Sequence, residues 1–127
     1  MINQLKNQFN TMTKHANIYQ IFLNLSHAVD ELTEFPKLSP DERCLMRHLN
    51  KYWVNKQDVK VVEVINTVAH SSPATVFRNL KKLRQKGYIQ LIVDSGDNRV
   101  KFVQPTSLTV SYFDSLGKLI IQSTQNM

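Results

Sequence analysis

The side chains with most chemistry to offer gather in one stretch, Ser72 to Lys86, SPATVFRNLKKLRQK, closed by Gly87. Arg78, Lys81, Lys82, Arg84 and Lys86 supply cations, and no acidic residue interrupts them. At about 100° per helical residue, Val76, Leu80 and Leu83 form one apolar stripe. Ala74, Thr75, Arg78, Lys81, Lys82 and Gln85 face away from it. That outward face is built from small polar and basic groups. A helix entering a DNA major groove needs this division: small residues for close approach, hydrogen-bonding groups for base edges, cations for phosphates. Thr75 and Arg78 are the candidates for base contacts, and Lys81 and Lys82 for phosphates. Ser72 and Ala74, at the entering end of the helix, and Arg99 and Lys101, beyond it, complete the candidate DNA-binding residues.

Other chemistry finds little support. His15, His27, His48 and His70 have no neighbouring Cys or His at metal-ligand spacing. Gly87, Gly96 and Gly117 do not form a phosphate-binding loop, and Ser71 and Ser72 lack the context of a nucleophile. No catalytic residue, metal or cofactor is expected, and an enzyme is not. Cys44 is the sole cysteine, which rules out an internal disulfide and points to a reducing, cytoplasmic setting. It reads as a small core residue ahead of a redox sensor, which would need exposure and a lowered pKa.

The elements that must position the basic stretch are legible on both sides of it. Ser72 suits a helix N-cap, Pro73 the first helical position, and Gly87 a left-handed end. Tyr88 to Val93, YIQLIV, predicts a strand. Asp94 to Asn98 is a turn cluster, and Arg99 to Gln104, RVKFVQ, predicts the returning strand. Upstream, Ser39-Pro40-Asp41-Glu42 is a capping box, opening a helix that carries Leu45, Leu49, Tyr52 and Trp53. Val61 to Val68 is expected as a short helix, against the β-branched content that favours a strand. Val59 is a candidate third strand for the hairpin. A last helix is expected from Ser107 to Gln125 after Pro105, with Leu108, Tyr112, Phe113, Leu116, Leu119, Ile120 and Ile121 on its apolar face. Gly117 there offers room for a neighbouring helix.

Residues 3 to 32 contain no proline or glycine and carry two helical stripes. Leu5, Phe9, Met12, Ala16, Tyr19 and Leu23 make one; Ile18, Phe22, Leu25, Val29 and Leu32 make the other. Two stripes on one helix call for more surface than a small domain offers, so a partner subunit is expected. Phe9, Tyr19, Phe22, Phe35, Tyr112 and Phe113 are read as core first, and as the lining of a small-molecule effector pocket second.

The formal charge of +6 is unevenly placed. Between Ser71 and Val103 seven basic residues face only Asp94 and Asp97, so most of the excess sits on the basic helix and hairpin. Concentration on two adjacent elements favours a polyanionic partner over a merely solvated surface. No apolar run approaches the roughly 20 residues of a membrane span.

Helix, strand, polar turn, strand is the order of a winged helix-turn-helix, and here the chain resembles the MarR-type winged-helix regulators of bacteria. The resemblance rests on SSPATVFRNLKKLRQKGYI (Ser71 to Ile89), on the hairpin DSGDNRVKFVQPT (Asp94 to Thr106), and on a helix opening after that Pro-Thr pair. In element order it covers roughly residues 39 to 120. It departs at Ala69 and His70, where the family often has a glycine and an apolar residue. The resemblance implies a mainly α fold with a small β hairpin, in one winged-helix domain over 1–127. Residues 1–38 and 106–127 would supply helices for a two-fold dimer, and 39–105 the winged helix-turn-helix. It implies a transcriptional regulator binding double-stranded DNA as a homodimer on a near-palindromic operator, its reading helices about 34–36 Å apart. Family wings commonly carry an acid and an arginine two apart, as Asp97 and Arg99 are; the acid would hold the hairpin and the arginine reach the minor groove. Two other readings stay open: a winged-helix protein of plasmid or phage replication or partition, and a protein–protein module docking an acidic partner.

Overall fold

The computed structural model describes residues 14–30, 32–68 and 71–125. Its elements are α1 (Lys14–Asp30), α2 (Pro40–Val54), α3 (Val61–Thr67), α4 (Pro73–Gln85), β1 (Ile89–Val93), β2 (Lys101–Pro105) and α5 (Ser107–Gln125). Two compact units result: Glu34–Asp114 is one, and α1 with the chain from Ser115 onward belongs to the other. No described helix is long and apolar enough to cross a membrane.

In the Glu34–Asp114 unit, α2 starts as its sequence dictates. The Glu42 backbone N–H donates to Ser39 Oγ at 3.2 Å, and the Ser39 N–H donates to Glu42 Oε1 at 2.9 Å. This reciprocal box satisfies two N–H groups that the helix itself cannot. Leu45, Met46 and Leu49 then bury one face of α2 against α4. Cys44 does not join them. It stands about 100° before Leu45 on the helix, off the stripe that Glu42, Leu45, Met46 and Leu49 define. It is exposed, so the expectation of a core cysteine is corrected.

The β-branched segment Val61–Thr67 is helical, with Val64 fully buried where α3 meets α4. Tertiary packing outweighs the weak helix propensity of its valines. His48 bridges α2 to α3. The Thr67 hydroxyl donates to the Glu63 carbonyl at 2.6 Å, so it must accept from His48 Nε2, 3.1 Å away. That leaves Nδ1 as the bare nitrogen. Burial, followed by the nearby Lys51 charge, pushes the His48 pKa down. Ala69 and His70 lie outside the described residues.

The strands β1 and β2 pair antiparallel, with Ile89 opposite Pro105 and Val93 opposite Lys101. The second strand starts two residues later than its sequence suggests. The Arg99 N–H is spent on Asp97 Oδ1 at 3.0 Å and the Val100 N–H on the Asp97 carbonyl at 3.0 Å, so both residues belong to the turn. A third segment does extend the sheet. Lys60 bridges Phe102, and the Val103 N–H donates to the Val59 carbonyl at 2.8 Å.

Tyr88, just before β1, is fully buried, its hydroxyl donating to the Pro36 carbonyl. Burial, with Tyr112 and Glu42 nearby, pushes its pKa up to about 12. Tyr88, Phe35 and Phe113 each meet Tyr112 edge-on, at centroid distances of 5.7, 5.5 and 5.2 Å. Tyr112 is core, the first of the two readings given to it, whereas Phe35 and Phe113 are half-buried against it.

In the second unit Tyr19 and Phe22 of α1 and Ile120 and Ile121 of α5 are each more than half exposed. Phe9, with Leu5 and Met12, lies outside the described residues. A Cβ placed on Gly117 would meet open space among the described residues.

Candidate nucleic-acid interface

The interface is built on α4, and both ends of that helix are fixed by its own sequence. At the start, Ser72 Oγ accepts from the Thr75 N–H at 3.2 Å and donates to Thr75 Oγ1 at 2.9 Å. At the end, Gly87 adopts φ +87°. The Tyr88 N–H reaches the Leu83 carbonyl at 3.0 Å and the Gly87 N–H reaches the Arg84 carbonyl at 3.1 Å. This is the Schellman arrangement, which needs a left-handed residue and so favours glycine. Between the caps Val76, Asn79, Leu80 and Leu83 are buried and lock the rotation of the helix about its axis.

With that rotation fixed, the outward face follows. Its centre, opposite the buried residues, is shared by Ala74, Arg78, Lys81 and Gln85, all exposed. Phe77 and Lys82 lie about 70° to either side of that centre. None of Arg78, Lys81, Lys82 and Arg84 forms an ion pair with another described residue. Their positive potential therefore projects to solvent without local compensation.

Not all of the basic residues belong to this face. Lys86 turns the other way: its Nζ lies 2.8 Å from Glu42 Oε1 and 2.7 Å from the Lys37 carbonyl oxygen. Thr75, a sequence candidate for base reading, is half-buried and about 90° from the centre of the face, its hydroxyl engaged by Ser72. Ser72 itself is exposed, and its hydroxyl serves the cap.

On the hairpin, Arg99 Nε and Nη2 grip Asp97 Oδ1 and Oδ2 at 3.1 and 3.2 Å. The arginine hydrogen bonds hold the Asp97 carboxyl below its ordinary pKa. The Arg99 side chain is nonetheless 91% exposed, and Lys101 is exposed at the base of the loop. The Gly96 N–H donates to Asp94 Oδ2 at 3.3 Å, which adds an Asx turn to the tip.

Two features of this region were missed in the sequence. Phe77 is 58% exposed on α4, although an aromatic residue beside Val76 reads as core. Behind α4 lies a cavity of about 220 Å³ lined by Asp41, Cys44, Ser71 and Asn79 among apolar side chains. Neither had a signal in residue type; both depend on how α4 is turned. No group of three or more His, Cys, Asp or Glu side chains among the described residues is placed to hold a metal ion.

No protein-family model matches the sequence, and no curated protein does. Solved structures match its fold. The S. aureus MepR–DNA complex aligns with a TM-score of 0.66 at 14% identity, over 88% of this chain and 86% of MepR. YusO from Bacillus subtilis gives 0.60 at 17% identity, over 99% and 82%. Wild-type apo MarR from E. coli gives 0.55 at 13% identity, over 91% and 85%. The chain has the winged-helix fold of the MarR-type regulators.

Proposed function

We propose that this chain is a sequence-specific, double-stranded DNA-binding transcriptional regulator that acts as a homodimer on a near-palindromic site. The observation that carries the reading is the outward face of α4. It is locked in rotation by buried Val76, Leu80 and Leu83, carries exposed Arg78, Lys81 and Lys82, and has no acid along its length. A duplex groove offers that face phosphates on both flanks and acceptor-rich base edges in the middle. The similarity to MepR, whose structure was solved with DNA, supports the same reading. Exposed Tyr19, Phe22, Ile120 and Ile121 support a dimer through α1 and the end of α5, since such residues on a monomer would face water. In this reading residues 39–105 contact DNA, and 1–38 with 106–127 join the two copies.

The experiment is selection of bound duplex fragments from the source genome by the full chain at moderate salt. Enrichment of fragments sharing an inverted repeat is the expected result, and their position at promoters or at replication origins assigns the role. Retention of no duplex, with capture of acidic protein instead, would replace this reading by a protein–protein module.

A further inference from the structure

Phe77 is the one aromatic side chain of α4, and it lies on the exposed side of the helix. It is 58% exposed where Val76 beside it is 2% exposed. On the helix surface its neighbours one turn away are Ala74 and Lys81, and Arg84 follows one turn further on the same side. An exposed benzyl group is disfavoured in water, and the cations on the same half of the helix, Arg78, Lys81 and Arg84, exclude a purely apolar partner surface. The partner that suits both is a polyanion that also offers an apolar group at the right depth. Within a B-DNA major groove only one base-edge group is apolar, the C5 methyl of thymine.

Resting on the DNA-binding role proposed above, we infer that Phe77 reads a thymine methyl in each half-site, next to the base pair that Arg78 contacts. The side chain adds selectivity of a kind that Arg78 cannot provide. Phenylalanine has no donor or acceptor, so a G·C pair beneath it would have its edge groups shielded from water and left unpaired. A T·A pair also has polar edge groups to shield, but it adds a methyl whose burial is favourable and offsets that cost. Phe77 and Arg78 thus read by opposite means, one through apolar contact and the other through hydrogen bonds. Ala74, small and one turn earlier, leaves the approach to this side of the groove open.

The test uses duplexes carrying the selected site in which each thymine is replaced in turn by deoxyuridine, a change that removes only the methyl. Wild-type protein should lose about fourfold in affinity at one thymine per half-site, the amount that burying one methyl group is worth. Phe77→Ala should bind the thymine and deoxyuridine forms of that position equally, and should keep its response to base changes under Arg78. Its melting temperature should not fall, because the replaced ring is exposed and alanine favours a helix. Wild-type indifference to every thymine methyl, in a protein that does bind a duplex, overturns this inference alone. So does Phe77→Ala that keeps the wild-type ratio at every position. Loss of dimerisation in Phe77→Ala would assign the ring to a contact between copies and overturn it as well. Failure to bind any duplex would remove the DNA-binding role together with the inference.

Discussion

Lys86 Nζ lies 2.8 Å from Glu42 Oε1, which ties the end of α4 to the first turn of α2 across 44 residues of sequence. Glu42 is only 2% exposed, and its second oxygen has no partner among the described residues. The ion pair with Lys86 and the bonds with Ser39 compensate for the buried charge. Lys86→Met should cost about 2–3 kcal/mol in chemical denaturation. That is modest for a broken buried pair, since Lys86 keeps 33% side-chain exposure and Glu42 keeps its bond from Ser39.

The same pair predicts a pH dependence. Burial pushes the Glu42 carboxyl up, but the bonds with Lys86 and Ser39 outweigh it and hold the group below its ordinary value of 4.5. A carboxylate with a lowered folded pKa contributes stability above its unfolded pKa and loses it as pH falls through the folded value. The wild type should therefore lose stability across the acid range. The deficit of Lys86→Met relative to it should be largest near neutrality and should narrow as Glu42 protonates in both proteins. A deficit constant with pH would show that Lys86 acts through packing alone.

Gly87→Ala tests the end of the helix. A Cβ there would sit 3.7 Å from Leu108 Cδ2, an ordinary contact, so the penalty is one of conformation and not of space. At φ +87° an alanine should cost about 1–2 kcal/mol. Thermal unfolding measures it, and an unchanged midpoint would mean that the helix end rearranges freely.

How far the sequence could be read depends on the range of the interaction. Ser39 with Glu42, Ser72 with Thr75, and Gly87 after Gln85 are settled within four residues, and each could be placed from residue type alone. The choice of helix over strand for α3 and the bond of Tyr88 to Pro36 depend on partners far along the chain. Arg99 shows a subtler limit. Its alternation with Lys101 and Val103 suits a strand, but Asp97 two residues earlier captures its N–H, and local side-chain bonding outcompetes the ladder. On α4 the apolar stripe was visible, whereas the exposure of Phe77 required knowing how the buried face is centred.

The hairpin gives a prediction in which two variants must differ. Asp97 and Arg99 share three hydrogen bonds, so either substitution loosens the loop. Arg99→Ala also removes the exposed cation, whereas Asp97→Ala removes an anion that would face phosphate. Arg99→Ala should therefore weaken duplex binding more than Asp97→Ala, and should reduce any preference for narrow, A·T-rich flanks. Equal losses, measured on sites with A·T and G·C flanks, would restrict Arg99 to bracing the loop.

In the proposed role, Arg78 would carry recognition and Lys82 attraction. Arg78 lies near the centre of the outward face, about 30° from its axis, and its planar fork matches the O6 and N7 acceptors of guanine. Lys82 lies about 70° away and one turn further on, where a helix seated in a groove meets the backbone. Arg78→Ala should cost about 1–3 kcal/mol on the preferred site and relax the requirement at one base pair per half-site. Lys82→Ala should weaken all sequences alike, and should flatten the dependence of log affinity on log salt by about one unit for each phosphate no longer neutralised. Both side chains are exposed and outside any ion pair among the described residues, so neither variant should alter the melting temperature. Competition binding against single-base variants of the site reads both effects together. If Arg78→Ala preserves the ranking of variants while Lys82→Ala reorders it, the groove is entered from the Lys82 flank and α4 is rotated about its axis relative to the proposed seating.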